Sequence, residues 1–211
     1  MDEVEQTIET YDKIASSYCK KTRLKKYLDW EEQYIRKLLS YCPDKKPRIL
    51  DAGCGDGRHC LLIDKNGGQS IGIDLSESMI KEAETYYPDG DFRRMNMLVL
   101  DFDDAYFDGV WSSGSIYHVT KADARNVIGQ FRRILKKGGV LSLNFKLGGG
   151  EGLEANPKSY GGSPRYFAYY SKDEMTDMLA DFGFYELDAR LYPEEIFGDD
   201  IVQIWLRLSD V

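Results

Sequence analysis

The segment Ile49-Leu-Asp-Ala-Gly-Cys-Gly-Asp-Gly-Arg58 places Gly53, Gly55 and Gly57 directly after a short apolar run. Glycines at that spacing let the backbone turn tightly and come within contact distance of a ligand. A helix opening immediately afterwards presents unpaired N–H groups, which favour an anionic or strongly polar ligand group. Two familiar ligand motifs fit poorly. A phosphate-cradling P-loop ends in Gly-Lys-Ser/Thr, where this chain has Gly57-Arg58-His59. A dinucleotide fingerprint reads GxGxxG, and here the third glycine comes one residue early. The chain has two histidines. His118, in Trp111-Ser-Ser-Gly-Ser-Ile-Tyr-His-Val119, is the candidate general base near neutral pH. The competing readings make it a structural histidine or one that only shapes a pocket. His59, on the helix after the glycine turn, is expected to be structural.

These residues need a scaffold, and the texture of the chain from Arg48 onward supplies one. Arg48–Asp51 and Gln69–Asp74 read as strands, each followed by a helical segment, the first around Cys60–Ile63. Ser76, with Met79, Ile80 and Ala83, makes a capped helix that stops near Tyr87-Pro88. Asp91–Arg94 and Phe107–Ser112 follow as strands, then a helix over Lys121–Lys137 stopped by Gly138-Gly139, then a strand at Val140–Phe145. A glycine-rich stretch runs from there to about Tyr170. Ser171, with Glu174 three residues on, caps a helix to Phe182. Phe184–Tyr192 and Ile201–Leu208, joined without a helix, should pair antiparallel. Ahead of all this come a short helix holding Ile8, Tyr11, Ile14 and Ala15 and a longer one from about Leu24 to Tyr41, ended by Pro43 and Pro47. Strand–helix alternation with short links predicts an α/β doubly wound sheet, mostly parallel, with helices on both faces.

Asp51-Ala-Gly-Cys-Gly-Asp-Gly57 resembles the E/DxGxGxG motif of the class I S-adenosylmethionine-dependent methyltransferases. The resemblance covers about residues 45–145 and includes Asp74 in Gly72-Ile-Asp-Leu-Ser76, Phe107-Asp-Gly-Val-Trp, and Leu135-Lys-Lys-Gly-Gly-Val140. Four motifs in order are far more specific than one glycine turn. The resemblance implies a Rossmann-like, seven-stranded sheet with a C-terminal antiparallel hairpin, and S-adenosyl-L-methionine as cofactor with S-adenosyl-L-homocysteine as product. It implies that the backbone of Gly53, Cys54, Gly55 and Gly57 packs on the methionine part and that Asp51 helps to bind the amino group. Asp74, followed by Leu75, would accept from both ribose hydroxyls, since a carboxylate suits an unphosphorylated ribose. Asn96 and Met97 occupy the adenine position, with Asn replacing the commoner Asp, and Met97 reads equally as a core residue. Ser113, with Gly114 and Ser115, would contact the cofactor through backbone atoms.

In family members the segment around His118 lines the transfer site. Tyr11 and Tyr18 look like an aromatic lid, which can exclude water and attract a sulfonium; plain packing of the first helix is the other reading, at least as strong for Tyr11. The stretch Leu147–Tyr170, with Asn156, Tyr160, Arg165, Tyr166, Tyr169 and Tyr170, is the natural home of acceptor specificity. The chain therefore divides as one domain over 1–211: a helical lid at 1–44, a cofactor core at 45–147, a specificity loop at 148–170, and a C-terminal helix and strand pair at 171–211.

The 211 residues, 42% hydrophobic and 13% aromatic, suffice for a sizeable core. A net charge of −8 weighs against gripping a nucleic-acid backbone, although residues 13–28 carry six bases and no acid. Cys19, Cys42, Cys54 and Cys60 form no CxxC pair, so free buried thiols and no metal site are expected. With no signal-like start and no run able to span a bilayer, a cytoplasmic protein without membrane contact is expected. The leading function is methyl transfer to O, N or C of a small-molecule acceptor. The alternatives are a transfer-RNA wobble-uridine-type methyltransferase, which Ser163-Pro-Arg-Tyr-Phe-Ala-Tyr-Tyr-Ser171 faintly resembles, and a non-catalytic S-adenosylmethionine-binding protein. An NAD-dependent oxidoreductase is disfavoured by the early third glycine. Nothing in the sequence fixes an oligomeric state.

Overall fold

A computed structural model describes residues 3–155, 162–192 and 200–209 of the chain; Asn156 and Tyr160 lie outside them. Helices α1 (Glu3–Thr22) and α2 (Lys25–Tyr41) precede the first strand. α1 is longer than the short helix its apolar spacing predicts. Its extra turns carry Glu3 and Glu5 at the start and Lys20 and Lys21 at the end, the arrangement that the helix dipole favours. Part of the basic run of residues 13–28 is thus the charged end of one helix. Beyond it, Arg23 pairs with Asp56 at 2.9 Å and Lys25 with Asp29 at 2.5 Å.

Five parallel strands follow, β1 (Arg48–Ala52), β2 (Gln69–Asp74), β3 (Asp91–Arg94), β4 (Phe107–Ser112) and β5 (Leu135–Leu147). They lie in the order β3-β2-β1-β4-β5, linked in part by α3 (Arg58–Lys65), α4 (Glu77–Tyr86) and α5 (Lys121–Ile134). The order reverses at β1, and the crevice at that switch point, above the carboxyl ends of β1 and β4, is where open sheets bind ligands. After α6 (Lys172–Asp181), β8 (Phe184–Leu191) and β9 (Ile201–Leu208) form the expected antiparallel pair. β9 inserts against β5, from Val140↔Arg207 to Lys146↔Ile201, which leaves β8 at the edge.

Two expectations need correction. The sheet has nine strands among the described residues rather than seven, because the predicted loop 148–170 contains the antiparallel pair β6 (Glu151–Glu154) and β7 (Arg165–Tyr170). Glu151-Gly-Leu-Glu154 has weak strand propensity, and β7 is buried nearly throughout, so neither shows clean alternation. The helix predicted to Lys137 ends at Ile134. Leu135 already pairs with Phe107, and the ladder resumes at Val140↔Gly109, so Lys136–Gly139 loops out between the two registers, with Gly138 at φ 70°.

Strand alternation sends β5 residues to two different places. Leu141, Leu143 and Phe145 enter the main core with Phe107, Phe131 and Tyr166. Val140 packs on the other face with Ile35, Leu38, Trp111 and Trp205, and Ser142, Asn144 and Lys146 share its side by period. All four cysteines are free and buried. Among the described residues no helix is long and apolar enough to cross a membrane.

Candidate active site

β1 ends at Ala52 and the chain turns through Gly53, whose N–H, like that of Cys54, donates to the Ile73 carbonyl at 2.8 and 2.9 Å. The three glycines of the turn do different work. A Cβ on Gly53 would stand 2.4 Å from Ser115 Cβ, and one on Gly57 2.6 Å from the Phe92 ring, so both permit close packing. Gly55, at φ 52°, would meet nothing within 4 Å and lines open space.

That space is a cavity of about 410 Å³. Gly53, Gly55, Asp74 and Leu75 form one part of its wall, Asn96, Met97 and Ser113 another, and Tyr18 reaches it from α1. Asp51, Cys54 and Gly57 are not on the wall. Cys54 packs with Cys60 and Ile80, and Gly57 opens α3. Asp51 is fully buried beneath the turn; its Oδ2 accepts from Cys60 Sγ at 3.5 Å, and its Oδ1 has no hydrogen-bond partner among the described residues. Burial pushes its pKa up to about 6 against the pull of His59 and the Cys60 thiol.

Asp74 ends β2 with Oδ2 accepting from Gly55 N–H and Oδ1 from Ser76 N–H, both at 2.9 Å. Burial raises its pKa, opposed by these backbone donors. It does not cap α4: Ser76 Oγ does, accepting from Met79 N–H at 3.1 Å. Asn96 Oδ1 accepts from Leu98 N–H at 2.9 Å, which fixes the amide orientation at the cavity mouth.

His118 lies in a 3-10 turn, Ile116–His118, after β4. Its Nδ1 is 2.7 Å from the Tyr166 carbonyl, so Nδ1 carries the proton and Nε2 is an acceptor. Tyr11 Oη donates to Nε2 at 2.9 Å and accepts from Arg165 Nη1 at 3.3 Å. Burial depresses the His118 pKa to about 3, aided by Arg165 and Lys146 and opposed by the Tyr166 carbonyl. Tyr11 meets the rings of Tyr18 and His118 edge-on, each at 5.5 Å. Tyr11 is thus part of the site as well as of the packing of α1.

A second cavity of about 210 Å³ adjoins the first. The two share Tyr11, Tyr18, Arg58, Ser113, Gly114 and His118. Asn144 fixes this junction, accepting from Gly114 N–H at 2.8 Å and donating to Ser113 Oγ at 3.0 Å and Tyr192 Oη at 2.8 Å. Arg58 is held by Glu31 and Asp56, each at 3.0 Å, and His59 Nε2 stands 3.2 Å from Glu31. Although burial pushes Glu31 up, Arg58 and His59 bring its pKa to about 2. Sequence reasoning missed Arg58, Asn144 and Lys146. The detectable signal was a polar residue at every second position of an otherwise apolar strand.

The residues present fit S-adenosylmethionine. The turn leaves open space at Gly55, Asp74 lies where adjacent hydroxyls would be read, and the unpartnered Asp51 oxygen suits a nearby ammonium.

Residues 49–139 match the methyltransferase-domain family. The chain is 35% identical over 103 residues to 27-O-demethylrifamycin SV methyltransferase of Amycolatopsis mediterranei, covering 46% of this chain and 37% of that protein. It is 33% identical over 102 residues to O-methyltransferase resE of Aspergillus sclerotiorum, covering 45% and 38%. The match therefore spans well under half the length of these two relatives. A Methanosarcina mazei S-adenosylmethionine-dependent methyltransferase structure superposes with TM-score 0.71 at 21% identity, over 82% of this chain and 97% of that one. The Burkholderia thailandensis 1,6-didemethyltoxoflavin-N1-methyltransferase, solved with bound 1,6-didemethyltoxoflavin and S-adenosylhomocysteine, superposes with TM-score 0.69 at 19% identity, over 96% and 88%.

Proposed function

We propose that this chain, which belongs to the class I S-adenosylmethionine-dependent methyltransferases, transfers a methyl group to an oxygen, nitrogen or carbon nucleophile of a small molecule. The observation that carries this reading is the junction of two cavities at Ser113, Gly114 and His118, one floored by the glycine turn and Asp74, the other walled by aromatic rings. S-adenosylmethionine, when bound, supplies an electrophilic methyl on a sulfonium whose departure needs no acid. The protein's task is then alignment and exclusion of water.

Each residue has a part in that task. Asp74 retains lone pairs beyond those used by Gly55 and Ser76 and offers them to adjacent hydroxyls. Asn96 and Met97 flank the flat base, and Asp51, buried beneath the turn, favours the positive amino end through its charge. Tyr11 and Tyr18 bring α1 across the junction and keep solvent out. His118 is neutral near pH 7, with Nδ1 held by the Tyr166 carbonyl and Nε2 by Tyr11 Oη, so it positions Tyr11 at the junction rather than stripping a strongly held proton. A small acceptor agrees with the volume of the second cavity and with the compound named for the toxoflavin relative.

Titration calorimetry with S-adenosylmethionine, S-adenosylhomocysteine and NAD, followed by assay of S-adenosylhomocysteine formation over an acceptor panel, tests the reading. Binding of the first two without heat from NAD, and turnover with a small acceptor, are expected. Binding of NAD alone would overturn it.

A further inference from the structure

Resting on that methyltransferase reading, we propose that Gln203 is a positioning residue for methyl transfer. Through Tyr192 and Asn144 it sets the Gly114 peptide where the two cavities meet, although it lines neither of them. Gln203 stands on β9 directly opposite Asn144 of β5, so the two side chains share one face of the sheet. Tyr192 Oη donates to Gln203 Oε1 at 2.6 Å, and Gln203 Nε2 donates to Ser142 Oγ at 2.8 Å. Asn144 Nδ2 donates to Tyr192 Oη, while its Oδ1 accepts from Gly114 N–H, both at 2.8 Å. Ser142 and Gln203 are fully buried and Asn144 nearly so. Polar side chains kept this dry persist with their partners in place, and a linked set of them specifies one arrangement.

The sense of each bond follows from the Gly114 end. A backbone N–H can only donate, so Asn144 must present Oδ1 to it and Nδ2 to Tyr192. Tyr192 Oη accepts that bond, and its single proton leaves in another direction, toward Gln203 Oε1. Without that acceptor the phenol proton competes for the oxygens at the junction, Ser113 Oγ and Asn144 Oδ1. Both are in use, the first by Asn144 Nδ2 at 3.0 Å and the second by Gly114 N–H. Taking Ser113 Oγ pulls on the turn from its other residue. Taking Asn144 Oδ1 turns the carboxamide over and sets Nδ2 against Gly114 N–H, donor to donor. Either way the Gly114 peptide, at φ 77°, loses its anchor. Ser113 and Gly114 line both cavities, so a shift there moves the cofactor wall and the acceptor wall together.

The test uses the full chain carrying isotopically labelled glycine, with amide hydrogen exchange read at Gly114 and Gly109, and titration calorimetry with S-adenosylhomocysteine. Gly109 lies in the ladder of β4 with β1 and β5 and reports general loosening of the sheet. Gln203→Met keeps the length of the side chain and removes the acceptor. It should speed exchange at Gly114 at least about tenfold, leave Gly109 unchanged, and weaken S-adenosylhomocysteine about tenfold, the scale of one lost hydrogen bond. Gln203→Glu, as a neutral acid, keeps a carbonyl for Tyr192 and an O–H for Ser142 Oγ. Burial favours that neutral form, so this variant should match the wild type in mildly acidic buffer and fall away from it as pH rises. In a Tyr192→Phe background the phenol proton is gone, and adding Gln203→Met should change Gly114 exchange no further.

Unchanged exchange at Gly114, equal acceleration at Gly114 and Gly109, or full additivity of the two substitutions overturns the proposal. If Gln203→Met does not fold, Gln203→Glu decides, and a ratio to the wild type that stays flat with pH overturns it. Exchange at Gly114 is read without ligand. Failure of the wild type to bind S-adenosylhomocysteine therefore counts against the methyltransferase reading, while the exchange data still decide whether Gln203 positions Gly114.

Discussion

A carboxylate oxygen left without a partner in a dry interior costs stability until a ligand supplies one, and Asp51 is in that position. Its folded pKa of about 6 lies above the ordinary 3.8, so the folded state holds the proton more tightly. Stability associated with this group is therefore lost as pH rises from about 4 to about 6, and the deficit persists at neutral pH. Asp51→Asn should raise the stability of the unliganded protein by about 1–3 kcal/mol at pH 7, a gain that vanishes below about pH 4, as denaturant titration at both pH values would report. The same variant should bind S-adenosylmethionine more weakly. Gly53 and Gly55 should separate in a similar way. Gly53→Ala drives a Cβ into Ser115 and should cost about 3 kcal/mol of stability. Gly55→Ala should cost about 1 kcal/mol, from backbone strain alone, and lose most of its cofactor affinity in calorimetry. At this scale Asp74 and the glycine turn were legible because strand ends, turns and acids leave local marks. Arg58 and Lys146 were not, because surface charges are common and only the fold buries these two.

One peptide of β7 links α1 to the imidazole. Tyr166 N–H donates to Thr7 Oγ1 at 2.7 Å, while its carbonyl accepts from His118 Nδ1. Thr10 Oγ1 donates to the Pro164 carbonyl at 2.7 Å, and on the opposite side Asp12 accepts from Ser76 Oγ and Ser78 N–H. α1 is thereby pinned between β7 and α4. Thr7→Val keeps the shape and removes the acceptor, leaving a buried N–H unpaired. We expect a loss of about 1–3 kcal/mol in thermal unfolding and a raised KM for the methyl acceptor, because the His118 carbonyl partner is no longer fixed. Ser76 and Ser171 announced their helices through side chains that read locally. The pair β6–β7 did not, since its register is set by β5 and α1, which are distant in sequence.

The sheet order was legible because strand–helix–strand links admit few topologies, yet the closing of α1 over both cavities is a property of the assembled molecule. Residues of α1, among them Val4, Ile8, Tyr11 and Tyr18, form part of the wall of the first cavity. A ligand that fills this cavity must stabilise α1 in place. S-adenosylhomocysteine at a hundredfold excess over its Kd should add about 2.7 kcal/mol of stability, and limited tryptic cleavage near Lys20, Lys21 and Arg23 should slow in parallel. Unchanged cleavage alongside demonstrated binding would mean that α1 is no lid. β5 places a constraint of another kind on the molecule. Asn144, which fixes the junction, and Lys146, which lines the second cavity, stand at even positions, whereas Leu143 and Phe145 stand on the core side. Inserting or deleting one residue just before Asn144 would exchange the two sets, hiding the polar pair in grease and lining the chamber with hydrocarbon. Such a lineage could keep its sheet and lose its reaction in a single event. The loop-out at Lys136–Gly139 is where length can vary while leaving that parity untouched.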